Sequence, residues 1–293
     1  MDAKKVGKSI AFLRKFYGMT QSDLAEQLGV TDKAVSRWER GHGMPDISLL
    51  TKLSIILDTD IESILEGNLT HLELKWKGIL NLDYADGIYA DTQMFGKCSV
   101  YFQLGFLMLA GIKEICIRGK KRDIEFVQEK MGDGSEFGIH LEYEIVPESS
   151  LELMDVIHSD LFGRYYSDGG IMLISGLDFL YGKDITKYFR RIIYNSKYPV
   201  KLLNFKRKST SIFFFPHTDE TNRFLMDDVI KKKMRTQVME RGVITFPIKT
   251  ETDLLDAATL IRILEVHQEE KIADLKEIAI RRTLLQGEDI TQL

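Results

Sequence analysis

Residues 20–41 read TQSDLAEQLGVTDKAVSRWERG, and this stretch decides the fold of the N-terminal part of the chain. Thr20, followed three residues later by Asp23, matches the capping box at the start of a helix. Gly29 is typical of the end of that helix, and Thr31 caps a second one. Two short helices joined by so tight a turn predict a helix-turn-helix, whose second helix enters the major groove of DNA.

Apolar residues at helical spacing continue on both sides of this stretch. They predict one helix before it, over 6–16, and two after it, the first opened by Asp46 and the second capped by Asp60. Five short helices within 1–67 predict a compact all-α domain. The connection 68–75 contains no tract rich in proline, glycine or serine and is interpreted as a short linker.

The charge of the chain is distributed unevenly. The whole chain has a net charge of -4, which by itself argues against nucleic acid as a partner. Residues 1–40 hold eight basic and five acidic residues, a local charge of +3, whereas residues 41–68 hold one basic and five acidic residues, a local charge of −4. DNA binding is therefore predicted to use one narrow basic face.

The stretch 21–31, followed by Ser36-Arg37-Trp38-Glu39-Arg40-Gly41, resembles the phage-repressor-like (XRE-type) helix-turn-helix family. This resemblance covers residues 1–67. It implies a sequence-specific transcriptional regulator that binds double-stranded DNA at an operator, as a homodimer or a higher oligomer. It also implies an ion pair between Arg14 and Glu39, and it favours Trp38 as a core residue rather than a DNA contact.

The candidate DNA-binding residues follow from their positions on the two helices. One lies at the start of the first helix, where backbone amides and the helix dipole favour a phosphate, and the others lie on or just after the second helix, facing base edges and flanking phosphates. They are Gln21, Thr31, Asp32, Lys33, Ser36, Arg37 and Arg40. The alternative for each side chain is that it is simply solvated.

Strands and helices alternate after residue 75. Strands are predicted at 77–82, 114–118, 141–146 and 170–175, and helices at 100–110, 123–131 and 151–162. This alternation predicts an α/β domain over 76–293 with a mostly parallel sheet covered on both faces. The fold class is therefore multidomain, an all-α helix-turn-helix domain followed by an α/β domain. Residues 213–215 predict a further central strand.

Residues 107–115, 131–143 and 181–185 resemble glucose-1-phosphate thymidylyltransferase, a sugar-phosphate nucleotidyltransferase. The resemblance implies the nucleotidyltransferase fold, and it implies an inherited pocket for a nucleotide or nucleotide-sugar. In this family a glycine-rich loop after the first strand cradles phosphate, and two aspartates hold Mg²⁺. Helices near the C-terminus serve packing and assembly in the family, so 254–277 has two open interpretations, subunit contact and intramolecular packing.

This chain departs from the family at each of those elements. The loop 81–89 holds one glycine and no basic residue, and it adds Asp83 and Asp86, which would repel phosphate. Leu177 and Pro247 stand at the two metal-ligand positions. The base-contacting glutamine is replaced by Val146, and the stretch 198–211 is too short for the sugar-binding elements. The domain is therefore predicted to be non-catalytic, with no catalytic residue, no metal and no cofactor, and to dimerise and sense a ligand.

Two alternatives remain open for the second domain. The first is an active nucleotidyltransferase, in which Asp178 with Asp83 or Asp86 rebuilds a metal site. The second is a scaffold used for oligomerisation alone. Target genes in surface-polysaccharide or deoxysugar synthesis are suggested by analogy with the family.

Composition bounds the remaining classes. Two cysteines exclude a disulfide scaffold, and the six histidines show no spacing typical of metal ligands. The N-terminus lacks an apolar run, and the apolar stretch 100–112 is too short to span a bilayer. These features predict a cytoplasmic protein with no membrane partner. The basic clusters 206–208 and 231–233 are interpreted as solvated surface or as auxiliary phosphate contacts.

Overall fold

The structure is a computed structural model that describes residues 2–17, 19–57, 59, 61–66, 76–182, 185–196, 198–217, 234–239, 242–268 and 271–281. It separates into two compact units, with the change from one to the other between Leu74 and Lys75. The predicted linker 68–75 and the basic cluster 231–233 lie outside the described residues.

The first unit consists of five helices. They are α1 (Ala3–Phe16), α2 (Gln21–Leu28), α3 (Asp32–Glu39), α4 (Ile47–Ile56) and α5 (Ile61–Glu66). The apolar face of each helix points inward, and fully buried side chains such as Ile10, Leu24 and Val35 form the core. The five predicted helices are confirmed, although the predicted cap Asp60 lies outside the described residues.

The second unit contains eleven strands and seven helices within the described residues. In chain order they are β1 (Lys77–Asn81), β2 (Gln93–Met94), β3 (Lys97–Cys98), α6 (Ser99–Ala110), β4 (Glu114–Gly119), α7 (Lys121–Met131), β5 (His140–Ile145), α8 (Leu153–Ile157), α9 (Asp160–Asp168), β6 (Ile171–Ser175), β7 (Asp178–Tyr181), α10 (Ile185–Asn195), β8 (Val200–Leu203), β9 (Ser209–Phe215), β10 (Arg235–Val238), β11 (Ile244–Pro247), α11 (Glu251–Gln268) and α12 (Leu275–Arg281).

Seven of these strands form one sheet in the order β10-β8-β9-β6-β1-β4-β5. Only β9 runs against the others, so the sheet is mostly parallel, as predicted. Helices α8 and α9 cover one face, where Phe162 meets Phe215 edge to face. Helix α10 covers the other face, where Phe189 packs against Phe214. The α/β class and the central strand over 213–215 are confirmed.

Two helix predictions in this unit need correction. The single helix predicted over 151–162 is two helices, because Ser159 caps α9 by accepting the amide of Phe162, which ends the preceding helix at Ile157. The amphipathic tract 254–277 is likewise split between α11 and α12. A second apolar cluster joins α11 to β7, with Phe179, Ile248 and Ile261 among its buried members.

None of the helices in the described part of the chain is both long enough and apolar enough to cross a membrane.

Candidate functional site

Local hydrogen bonds set the relative position of α2 and α3. The hydroxyl of Thr20 accepts the amide of Asp23 at 3.0 Å, and the Asp23 carboxylate accepts the amide of Thr20 at 2.9 Å, which closes the predicted capping box. Gly29 ends α2 in a left-handed conformation with φ of 75°, which suits glycine. Thr31 then caps α3 by accepting the amide of Ala34. The predicted helix-turn-helix is confirmed.

A partly buried ion pair ties α1 to α3. Arg14 donates from Nε and Nη2 to the two carboxylate oxygens of Glu39, at 2.5 and 2.9 Å, and from Nη1 to the carbonyl of Met19 at 2.6 Å. Both side chains are less than a tenth exposed. The pair implied by the family resemblance is therefore present, and its bidentate geometry fixes the end of α3 against α1.

Gln21 takes part in the same cluster. Its Nε2 donates to Glu39 Oε2 at 2.7 Å, so one amide hydrogen is used inside the protein. The side chain is half-buried at the first turn of α2, where the second amide hydrogen and the backbone amides remain in position for a phosphate. Its role in phosphate binding stays a prediction. The sequence gave no sign of the contact with Glu39, which lies 18 residues away.

The outer face of α3 carries the other predicted contacts. Five of the six residues are exposed, and the sixth, Ser36, is half-buried; the five are Thr31, Asp32, Lys33, Arg37 and Arg40. Val35 and Trp38 are buried on the opposite side of the helix, which confirms Trp38 as a core residue. The fold thus brings the predicted contacts to one surface. Base recognition by each of them stays a prediction.

The two arginines of this surface are held by their Nε atoms alone. Arg37 donates from Nε to the carbonyl of His42 at 2.9 Å, and Arg40 donates from Nε to the carbonyl of Ser36 at 3.2 Å. Within the described residues their terminal nitrogens make no further hydrogen bond. A guanidinium positioned in this way presents two parallel donors, the arrangement that matches O6 and N7 of guanine or the oxygens of a phosphate.

Gly7 is a positioning residue that sequence reasoning missed. A Cβ atom at this position would lie 2.0 Å from the carbonyl oxygen of Trp38, so only glycine lets α1 cross α3 this closely. A glycine inside a helix costs about 1 kcal/mol relative to alanine. That cost within the apolar pattern of residues 6–16 was the signal that could have indicated a close helix contact.

In the second unit, the carboxyl ends of β1, β4, β5 and β6 meet at one edge of the sheet. We call this edge the carboxyl-end cleft and define it by Asn81, Asp83, Lys120, Glu148 and Asp178. Asn81 is fully buried and donates from Nδ2 to the carbonyl of Leu151 and to Ser175 Oγ, while its Oδ1 has no partner among the described residues. Lys120 pairs with Glu148. Burial, together with the nearby Glu152, raises the pKa of Asp83.

The loop after β1 is bonded within the protein. Five backbone amides between residues 82 and 90 already donate to protein acceptors, those of Leu82, Asp83, Ile88, Tyr89 and Ala90. The amide of Ala90, for example, donates to the Asp123 carboxylate at 2.8 Å. A phosphate-binding loop needs amides that point outward. The loop in this chain therefore lacks the cradle that the family resemblance implies.

The two metal-ligand positions implied by the resemblance lie side by side on β7 and β11. The amide of Ile248 donates to the carbonyl of Leu177, and Pro247 pairs in register with Asp178. Leu177 is buried in an apolar cluster, so the backbone of the family site is present with apolar side chains in it.

Asp178, the acid considered as a substitute ligand, is used elsewhere. It is nearly fully buried, and its Oδ2 accepts the amide and the hydroxyl of Ser211, the latter at 2.6 Å. Burial raises its pKa, against the lowering effect of these hydrogen bonds. A hard cation needs several oxygen ligands, and the described residues hold no group of three His, Cys, Asp or Glu side chains placed to bind a metal. The residues present do not fit the Mg²⁺ of the family.

Comparisons with known proteins treat the two units separately. Residues 10–64 match the helix-turn-helix family. A helix-turn-helix transcriptional regulator from the SPbeta prophage of Bacillus subtilis is 35% identical over 75 residues, which are 26% of this chain and 68% of that protein.

The second unit has relatives of a different kind. Glucose-1-phosphate thymidylyltransferase of Neisseria gonorrhoeae is 24% identical over 246 residues, covering 67% of this chain and 83% of the enzyme. A crystal structure of a Bacillus anthracis protein assigned as a glucose-1-phosphate thymidylyltransferase, in complex with sucrose, superposes with a TM-score of 0.51 at 14% identity. It covers 64% of this chain and 95% of that chain. The second unit therefore has the nucleotidyltransferase fold.

Proposed function

Because the chain belongs to the helix-turn-helix family of DNA-binding regulators through residues 10–64, we propose that it is a transcriptional regulator that reads an operator as a homodimer. The observation that carries this proposal is the outer face of α3. Its exposed residues Thr31, Lys33 and Arg37 stand on a helix whose two ends are fixed, one by the Thr31 cap and the other by Glu39. A rigid helix that presents donors to solvent is what base recognition in the major groove requires.

The second unit is proposed to hold the dimer together and to sense a ligand. A two-fold dimer places two recognition helices in successive major grooves, with half-sites roughly 34 Å apart. The proposed effector is a nucleotide or nucleotide-sugar bound in the carboxyl-end cleft, by analogy with the enzymes that share the fold. The same analogy proposes genes of surface-polysaccharide or deoxysugar synthesis as targets.

The second unit is also proposed to have lost catalysis. Three observations support this proposal: the internally bonded loop after β1, the apolar Leu177 and Pro247 at the metal positions, and Asp178 held by Ser211. The test is pyrophosphate release from nucleoside triphosphates with glucose 1-phosphate and Mg²⁺. No release above the protein-free rate is expected. Release that increases with the protein concentration and disappears in Asp178→Asn would instead support the active-enzyme alternative.

Selection of genomic DNA fragments with the purified full-length protein tests operator reading. The expected result is an enriched motif with two related half-sites, and the same selection with a Lys33→Ala, Arg37→Ala double variant should lose it. Lys52→Ala is the matched control, since Lys52 is an exposed basic residue on α4. Recovery of unenriched DNA by the wild-type protein would contradict the proposal.

A thermal-shift screen of nucleotides and nucleotide-sugars tests the sensing role. A ligand that binds only the folded protein must raise its unfolding temperature. A selective shift is expected, and its loss in Lys120→Ala would place the ligand in the carboxyl-end cleft. A chain that shows no selective shift but still dimerises would be the scaffold of the second alternative.

A further inference from the structure

A second pocket lies in the nucleotidyltransferase-like unit, between the end of α10 and the strands β8 and β10. It has a volume of about 560 Å³, within the range of small-molecule sites. Its wall combines two arginines with neutral polar and apolar groups. The lining residues that carry the argument are Arg191, Arg235, Tyr198, Ser196 and Gln237.

This pocket and the carboxyl-end cleft lie at opposite edges of the sheet. Strand β8 runs parallel to β6 and β1, because each of β8 and β6 is antiparallel to β9. Val200 and Arg235 begin their strands and pair with each other in register, so the pocket lies at the amino-end edge. A ligand here is therefore separate from the effector that we place in the cleft, and this inference does not depend on the proposed function.

The charge of the pocket selects for an anion. Both charged residues in its lining are arginines, and no carboxylate is among the lining side chains. Two guanidinium groups facing one cavity repel each other, and a multivalent anion relieves that repulsion. The C-terminal end of α10 contributes a partial negative charge nearby, which two full positive charges outweigh.

The arginines are also oriented by aromatic rings. The guanidinium carbon of Arg235 lies 4.2 Å from the centre of the Tyr198 ring, and that of Arg191 lies 5.4 Å from the centre of the Tyr188 ring. Stacking of this kind restricts a long side chain and leaves the in-plane N–H donors directed outward. The hydroxyl of Ser196 and the side-chain amide of Gln237 add neutral donors to the same wall.

We propose that this amino-end pocket is a binding site for a small phosphorylated metabolite, whose phosphate is held between Arg191 and Arg235. The concave shape and modest volume favour a small molecule over the DNA backbone, which binds convex or grooved basic surfaces. The ligand class is a phosphate or diphosphate ester, with its organic part over Ile192 and Val200.

Isothermal titration of the full-length protein tests the site, with inorganic pyrophosphate as the probe. Glucose 1-phosphate and thymidine monophosphate serve as parallel arms that distinguish a sugar phosphate from a nucleotide. Arg235→Ala and Arg191→Ala are each expected to weaken pyrophosphate binding about tenfold or more, because each removes a charge-assisted pair. Arg235→Lys should recover part of the loss, since lysine keeps the charge without the planar fork.

Arg164→Ala is the matched control, because Arg164 is an exposed arginine stacked on Tyr165 in α9, and it should bind pyrophosphate like the wild-type protein. Hydrogen exchange should show protection by pyrophosphate in residues 185–196 and 234–239. Absence of saturable binding at millimolar pyrophosphate would overturn the proposal. So would unchanged affinity in both arginine variants, or protection confined to residues 81–86 and 118–120 of the cleft.

Discussion

The buried polar cluster of the first unit and the buried polar groups of the carboxyl-end cleft form an instructive pair. In the first unit, Arg14, Gln21 and Glu39 satisfy one another, and their bonds hold α3 so that its outer face stays exposed. In the cleft, Asp178 is bonded inward to Ser211 and Asn81 keeps a buried oxygen without a partner among the described residues. The first cluster supports an outward-facing surface, whereas the second has turned its polar groups into the fold.

This difference shows which inherited function each unit has kept. A satisfied polar network stabilises one geometry, and the geometry kept here is that of a recognition helix. Where the enzymes that share the fold need outward-pointing amides and carboxylates, the second unit offers internally bonded amides and an apolar Leu177. The following predictions test this contrast, from the largest expected effect to the smallest.

Removal of Glu39 should have the largest effect. Glu39→Ala leaves the Arg14 guanidinium buried without its carboxylate, which typically costs about 3–5 kcal/mol. Denaturant unfolding followed by the fluorescence of Trp38 should show this loss, with operator binding lost in parallel. The matched control is Glu142→Ala, which removes the exposed partner of Arg164 and should cost about 0–1 kcal/mol. Equal effects of the two substitutions would show that the first cluster is no more than a surface ion pair.

The close crossing of α1 and α3 should be the next most sensitive point. Gly7→Ala places a methyl group against the Trp38 carbonyl and should destabilise the first unit by about 1–3 kcal/mol. Gly163→Ala is the control, because this glycine lies inside α9 and nothing is within 4 Å of its added Cβ. That substitution should stabilise the second unit by about 0.5–1 kcal/mol. A neutral or stabilising Gly7→Ala would show that the helices separate easily.

A change on the outer face of α3 should affect DNA binding and leave stability unchanged. Arg37→Ala is expected to weaken operator binding by about 1–3 kcal/mol and to relax specificity at one base position. Circular dichroism melting should coincide with that of the wild-type protein, because Arg37 is exposed. Lys52→Ala should alter neither quantity. A lower melting temperature in Arg37→Ala would mean that its bond to His42 supports the fold.

The pH dependence of the cleft should give the smallest effect. Burial raises the pKa of Asp178 in the folded state above its unfolded value, so the folded protein binds more protons between the two values. The contribution of this group to stability therefore falls as the pH rises through that window, and Asp178→Asn should remove the slope.

Asp253 supplies the contrast for this measurement. Its pKa is lowered by the amide of Lys249 and by Thr250, so its contribution is present above the unfolded value and is lost as the pH falls. Asp253→Asn should therefore change the slope in the opposite direction. If Asp178→Asn leaves the pH profile of unfolding unchanged, Asp178 does not carry the cost that its burial implies.

Local sequence signals predicted the elements well where a single turn carries the information. The Thr20 capping box, the Gly29 end and the Thr31 cap each involve residues within a few positions of one another, and all are confirmed. The same logic failed over 151–162, because apolar spacing continues across the break at Ser159. A cap and a helix interior accept the same serine, and only the hydrogen bond to Phe162 distinguishes them.

The site was harder to derive because its partners are distant in the chain. The ion pair of Arg14 with Glu39 came from the family resemblance, and the contact of Gln21 with the same carboxylate came only from the structure. The inward bond of Asp178 was equally hidden, since Ser211 lies 33 residues away. Predictions about which residues touch DNA remain predictions, since they concern a partner outside the chain.

By itself, the sequence determined the two-part architecture, the helix-turn-helix and the mostly parallel sheet, because periodicity and capping act over a few residues. Only the tertiary structure decided how close α1 lies to α3 at Gly7, which way Asp178 points, and that Arg191 and Arg235 share one pocket. These features join residues from different elements. Their energies arise from packing, burial and charge proximity, which exist only after the chain has folded.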